Sequence, residues 1–284
     1  MSAPARRGRR SQLPLRLGIW IAGLLVLLNG IIPLGWMLLT SLKTSAELNQ
    51  LPITYLPQAP TLTNYGDVFS QQPMLRYLLN SLIVGLSATV LCIWIGTMAG
   101  YALARLKLRR RNLLLSLLIG LSLFPTVTIL VPLFQVMRSV GLLNTYPALI
   151  LPYTALSLPV TILVLMSFFS GIPRDLESAA MVDGCTRLQA LWRVVVPLAA
   201  PGVFTAAILA FVNSWDEFLL ALSLTTAQSM HTAPVGITLF EGEFAFPWRL
   251  ISAALVVAMI PITVMIVVFQ ERVVSGLTTG GLKG

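Results

Sequence analysis

Five consecutive residues stand out for their chemistry: Asn213, Ser214, Trp215, Asp216 and Glu217, a polar run flanked by apolar sequence. Two carboxylates inside an apolar stretch are costly in hydrocarbon, so they must face protein, water or a transported solute. Three uses fit these residue types: a structural or gating contact, contact with a solute, or proton coupling. Adjacent positions on one helix point about 100° apart, so Asp216 and Glu217 cannot both line one narrow path. Other reactive side chains are scattered. Cys92 lies in an apolar stretch, Cys185 in a charged one, and His231, the single histidine, has no Cys or His neighbour. That pattern indicates neither a disulfide nor a metal cluster. The chain contains no G-x-x-x-x-G-K-[ST] phosphate loop, no H-E-x-x-H and no G-x-S-x-G elbow. Without a catalytic constellation it is expected not to be an enzyme, and uphill work must draw on a partner or an ion gradient.

The elements around that run are membrane spans. Of 284 residues, 56% are hydrophobic and 10% charged, with a mean hydropathy of +0.85. These values exclude an ordinary soluble domain. Apolar stretches at about 17–41, 77–104, 112–137, 147–169, 201–224 and 249–269 each approach or exceed the roughly 20 residues that cross a bilayer. The first follows a loose basic segment, 1–16, but is longer than a signal-peptide core and lacks a small-residue cleavage site. It is therefore the first of six spans, and 17–270 forms one transmembrane domain. The Pro-rich stretch 43–76 predicts an ordered but irregular loop. Gly96, Gly100 and Ala104 form a small-residue face suited to close helix packing. Prolines at 33, 125, 132, 152, 159 and 261 predict bends.

A net charge of +9 sorts by side rather than forming a nucleic-acid stripe. Six spans place both termini on one side. Fifteen of the 19 Lys and Arg residues then fall on that side, and four, Lys43, Arg76, Arg138 and Arg249, on the other. The bias predicts cytoplasmic termini.

Between the fourth and fifth spans lies 174–197, RDLESAAMVDGCTRLQALWRVVVP, too short and too charged to cross a bilayer. Pro173 suits a first helical position, and Leu176, Ala179 and Ala180 recur at helical spacing. Gly184 suits a left-handed cap. Thr186 with Gln189 three residues on is a capping box that restarts a helix. Its apolar stripe is Leu188, Leu191, Trp192 and Val195, ended by Pro197. Two short amphipathic helices hinged at one glycine are thus expected.

This segment resembles the signature loop of the permease subunits of bacterial ATP-binding-cassette importers. That pattern is Glu-Ala-Ala, three residues, Gly, nine residues, aliphatic, one residue, aliphatic, Pro. Ala179, Ala180, Gly184, Val194, Val196 and Pro197 fall in register. Asp183-Gly184 and the stretch 197–201 are similar to the carbohydrate-uptake branch, and more narrowly to the maltose/trehalose-type second permease, its "G" subunit. There is one departure: the family's glutamate position is Ser178, and the carboxylate stands one place earlier at Glu177. A one-residue shift rotates it by roughly 100°, so the family's contact does not transfer directly, and Ser178 or Asp183 is the alternative.

The resemblance implies an all-α, type I ABC importer permease fold in the bacterial inner membrane. A coupling loop at 170–200 would dock on the ATPase through Glu177, Ser178, Ala179, Ala180, Asp183, Gly184, Leu188 and Trp192. A cytoplasmic tail, 271–284, would reach the ATPase dimer through Gly280, Gly281, Leu282 and Lys283. The 225–248 loop, with Glu241, Glu243, Phe244 and Trp248, would contact an extracytoplasmic solute-binding protein. Asn213–Glu217 would belong to the translocation pathway or its gate. Implied partners are a second permease, a dimeric ATPase carrying ATP and Mg, and a sugar; no cofactor is expected on this chain. The competing readings are import of a polyol or osmolyte glycoside, or an ion-coupled secondary transporter with Asp216 or Glu217 titrating.

Overall fold

A computed structural model of the protein describes residues 12–240 and 246–281, with side chains over 17–240 and 246–269. Among the described residues every regular element is helical. That follows from the apolar runs, because in lipid a helix satisfies its own backbone polar groups. The order is α1 (Gln12–Ser41), α2 (Ser45–Leu48), α3 (Thr63–Gln71), α4 (Met74–Arg105), α5 (Arg111–Ser122), α6 (Thr126–Ser139) and α7 (Tyr146–Gly171). Then come α8 (Arg174–Val182), α9 (Arg187–Ala190), a π-helical turn at Leu191–Val195, α10 (Val196–Leu198), α11 (Ala200–Trp215), α12 (Leu219–Leu224), a 3-10 turn at Gln228–Met230, α13 (Ala233–Thr238) and α14 (Trp248–Gly281).

Four of these are long and apolar enough to cross a membrane, and two bent pairs raise the number to six if each is one span. The third expected span is not straight: α5 and α6 meet at 90°. Pro125 caps α6 in extended conformation (φ −67°, ψ 123°), and a proline there cannot continue α5. The fifth expected span is also interrupted. α11 ends at Trp215 and α12 begins at Leu219, so the polar run straddles a break in the helix. The sixth span does not end at 269, since α14 stays helical to Gly281.

The chain divides into two compact units. In the unit of residues 71–240 and 258–284, α4 packs lengthwise on α7. The expected small-residue face makes that contact: a Cβ on Gly96 would stand 2.8 Å from Thr161 Cγ2, and one on Gly100 3.1 Å from the Met166 nitrogen. One core beside this pair gathers Val84, Ala88, Met137, Leu149, Tyr153, Leu220, Leu224 and Val235. The other gathers Tyr101, Leu165, Phe169, Leu191, Val195, Ala199 and Ala206.

In the unit of residues 1–70 and 241–257, α1 exposes every residue from 17 to 34. Apolar side chains so exposed need lipid or another membrane chain to cover them. The irregular loop after α1 is held by polar side chains. Asn64 Nδ2 donates to the Ser41 and Lys43 carbonyls, each at 2.8 Å. Arg249 Nη1 donates to Asn64 Oδ1 at 2.7 Å and Asp67 Oδ2 at 2.6 Å. Glu47 Oε1 accepts from Thr54 Oγ1 at 2.8 Å and the Gln58 N–H at 2.9 Å.

Candidate functional site

The helices of the 174–198 segment form where their local signals place them. α8 closes with Gly184 at φ +92°, the Gly184 N–H donating to the Met181 carbonyl at 3.1 Å and the Cys185 N–H to Ala180 at 3.0 Å. Those two bonds make a Schellman cap, which requires the left-handed backbone glycine adopts freely. α9 opens on the expected capping box: the Gln189 N–H donates to Thr186 Oγ1 at 3.3 Å, and the Thr186 N–H to Gln189 Oε1 at 2.8 Å.

Two terminal assignments differ from the sequence reading. Pro173 is the cap (φ −57°, ψ 135°) rather than the first helical residue. Pro197 does not end the second helix. The path widens into the π turn, where the Val196 N–H reaches the Leu191 carbonyl, runs through Pro197 and bends 83° into α11. A wider turn absorbs the hydrogen bond that Pro197 cannot donate.

The apolar stripe of the second helix splits. Leu191 and Val195 are buried in the chain's own core with Tyr101, Leu165 and Phe169. Leu188 is 57% exposed and Trp192 38%. Across the hinge Val182 is 87% exposed, and Ser178, Ala179, Asp183 and Gly184 are exposed with Ala180 half-buried. Ser178 Oγ donates to the Arg174 carbonyl at 3.1 Å. The segment therefore has an inner face seated on the bundle and an outer apolar face without cover.

Glu177 belongs to the inner face, not to the exposed one with Ser178 and Asp183. Its Oε2 lies 3.3 Å from Arg105 Nε, the two side chains being 10% and 5% exposed. The Tyr101 hydroxyl donates to its Oε1. Arg105 Nη2 also donates to the Ile172 carbonyl at 2.8 Å. The rotation that separates Glu177 from the family's glutamate position thus turns it inward. Sequence reading missed Tyr101 and Arg105; their signal was a hydroxyl and a guanidinium four residues apart at the end of a span.

The polar run is likewise divided. Glu217 caps α12: Oε1 accepts from the Leu220 N–H at 2.9 Å, and Oε2 from the Ala221 N–H at 3.1 Å and the Tyr153 hydroxyl at 2.7 Å. Trp215 is buried and stacks on Phe211 at 5.5 Å. Ser214 Oγ donates to the Ala210 carbonyl. Asn213 and Asp216, three residues apart and so on one helical face, are both exposed, and Asn213 Nδ2 donates to Ser157 Oγ at 2.9 Å.

Of the expected solute-binding-protein contacts, Trp248 is exposed at the start of α14, 5.7 Å from the Phe246 ring. Glu241, Glu243 and Phe244 lie outside the described residues, as do Leu282 and Lys283, while Gly280 and Gly281 form the end of α14. His231 is buried beside Tyr77, ring centroids 6.0 Å apart, and burial lowers its pKa from the ordinary value. Among the described residues no group of three or more His, Cys, Asp or Glu could hold a metal ion.

Long apolar helices and two sharply bent helix pairs, with the short helices of 174–198 following α7, mark an integral membrane protein. Residues 72–279 match the family described as binding-protein-dependent transport system inner membrane component, and the chain belongs to that family. It is therefore a multi-pass inner-membrane permease of an ABC transporter, a non-catalytic subunit that works with other transporter components, ATP being hydrolysed by a separate ATPase. The chain is 62% identical over 271 residues to the sulfoquinovosyl glycerol transport system permease protein SmoH of Agrobacterium fabrum, covering 95% of this chain and 94% of that protein. It is 42% identical to the trehalose transport system permease protein SugB of Mycobacterium tuberculosis, covering 92% and 95%. To the trehalose/maltose transport system permease protein MalG of Thermococcus litoralis it is 37% identical, covering 97% and 99%. The fold is similar to a chain in the crystal structure of a bacterial ABC transporter involved in the import of the acidic polysaccharide alginate. There the TM-score is 0.78 at 21% identity, covering 95% of this chain and 99% of the other.

Proposed function

We propose that this chain is one half of a paired permease importing a glycoside, with the 174–198 segment as the handle gripped by a cytoplasmic ATPase dimer. The observation that carries the reading is the two-sided segment: Leu191 and Val195 anchored in the bundle, Val182, Leu188 and Trp192 facing away from it. Apolar residues left uncovered on a polar loop mark a protein interface. The excess of Lys and Arg on one side supports a cytoplasmic loop and cytoplasmic termini. Nucleotide and Mg are held by the ATPase, and a second permease covers apolar spans such as α1. An extracytoplasmic solute-binding protein delivers the solute against the 225–248 loop. The tail, 271–284, reaches the ATPase.

The solute class follows from the relatives, whose names specify sulfoquinovosyl glycerol, trehalose and maltose. A glycoside of two linked polar units suits all three better than a free polyol. Asp216 presents a carboxylate to the outside, and Asn213, its Nδ2 held by Ser157, leaves its amide oxygen beside it; such groups hydrogen-bond sugar hydroxyls.

The test is reconstitution in vesicles with the second permease, ATPase and solute-binding protein. ATP-dependent uptake of sulfoquinovosyl glycerol or trehalose is expected. Uptake driven by an imposed proton gradient without the ATPase would sink the proposal.

A further inference from the structure

The segment from 174 to 198 is covalently continuous with α7 on one side and α11 on the other. Its contact with α4 is different in kind, since it is made through side chains. Tyr101 and Arg105 lie four residues apart on the last turns of α4, hence on one face. Both address the Glu177 carboxylate: the hydroxyl meets Oε1, and Arg105 Nε stands 3.3 Å from Oε2. Arg105 also reaches back through Nη2 to the Ile172 carbonyl, which caps α7. The Tyr101 ring packs in the core that holds Leu191 and Val195. One node thus ties the end of α4 to the end of α7, to α8 and to the π turn.

Packing alone does not require charge here, because a buried ion pair is often no more stabilising than apolar residues of the same volume. A buried pair does add direction and register. Its partners cannot slide past one another as apolar side chains can without leaving a charge unpaired. The node also lies on the inner face of α8, opposite the uncovered Val182 and Ser178 side.

We propose that Tyr101, Arg105 and Glu177 are positioning residues that make α4 move with the 174–198 segment, so that ATPase closure drives three spans rather than the two joined to the segment covalently. This rests on the reading of the segment as the ATPase handle, and the readouts separate the two. Glu177→Gln, Arg105→Gln, the double variant and Tyr101→Phe are prepared in the assembled transporter. Co-purification of the ATPase reports on docking; solute taken up per ATP hydrolysed in vesicles reports on the node.

The expected result is retained ATPase binding with uptake per ATP reduced about tenfold in Glu177→Gln and Arg105→Gln, within the usual range of coupling between sites. The double variant should lose less than the sum of the two singles, because both remove the same ion pair, each giving up only one further contact of its own, to the Ile172 carbonyl or the Tyr101 hydroxyl. Tyr101→Phe, which deletes a single hydroxyl, should give a smaller loss in the same direction. Unchanged uptake per ATP in Tyr101→Phe and in whichever charge variants assemble would overturn the proposal, as would losses that add in the double variant. Weakened ATPase co-purification in Glu177→Gln, with uptake per ATP unchanged in the complexes that do form, would instead return Glu177 to the docking surface and overturn the node.

Discussion

The Tyr153 hydroxyl donates to Glu217 Oε2 across 2.7 Å, joining the middle of α7 to the break between α11 and α12. The same carboxylate receives the Leu220 and Ala221 N–H groups, so it serves as cap and cross-brace together. Replacing Glu217 with Ala leaves those N–H groups and the Tyr153 hydroxyl without an acceptor. Hydrogen bonds to a charged group contribute about 1.5–3 kcal/mol, and a loss of that order is expected in denaturant unfolding of the purified protein. Glu217→Gln keeps a carbonyl acceptor and should cost less. Equal stability of all three proteins would show that the brace contributes nothing.

Gly100 sets how closely α4 and α7 approach. A side chain at this position meets the Met166 nitrogen and Leu165 Cβ, at 3.1 and 3.2 Å from the first carbon alone. Backbone cannot swing aside as a side-chain tip can, so Gly100→Leu must separate the helices. Overpacking of this kind costs about 1–3 kcal/mol, and the melting temperature should fall accordingly. Gly120, with open space around its Cβ position, should tolerate the same change.

Acid should act on the protein in two separate steps. Burial lowers the pKa of His231, so the folded protein favours the neutral ring. The associated stability is complete above the unfolded value of about 6.5 and declines as pH falls through it. Glu47 behaves in the usual carboxylate sense. The Gln58 N–H, first, and the Thr54 hydroxyl lower its pKa, so its contribution holds above about 4.3 and is lost below that. His231→Gln should remove the dependence near pH 6 and leave the lower step; Glu47→Gln should do the reverse. Unfolding measured across pH 2–8 in the three proteins checks both.

The capping box at Thr186 offers a smaller, local effect. Thr186→Ala removes the acceptor of the Gln189 N–H, which at a helix start costs about 1 kcal/mol. Since this cap orients the exposed Leu188, ATPase affinity should weaken several-fold while membrane insertion is retained. Affinity equal to that of the parent protein would mean that the helix holds its place without the cap.

What could be read from the sequence is what is encoded locally. Apolar length marks a span, Gly184 marks a left-handed cap, and Thr186 with Gln189 marks a helix start, each within a few residues. What could not be read depends on partners far along the chain. Glu177 turns inward because Tyr101 and Arg105 await it, 76 and 72 positions away. Glu217 becomes a cap because Tyr153 stands 64 positions upstream. The 90° bend between α5 and α6 is of intermediate kind: Pro125 announces a bend without its angle. Pro197 misled because a π turn, which has no simple sequence mark, absorbed the hydrogen bond it lacks.

The outer face of the hinged helices is best tested by photo-crosslinking. A photoreactive residue is placed at 182, 188 or 192 in the assembled transporter, and at 120 on α5 as a control. Adducts between the first three positions and the ATPase subunit, with none from 120, are the expected result. If the ATPase were captured from elsewhere while 182, 188 and 192 reacted with lipid or water, the segment would not be the part on which the ATPase acts.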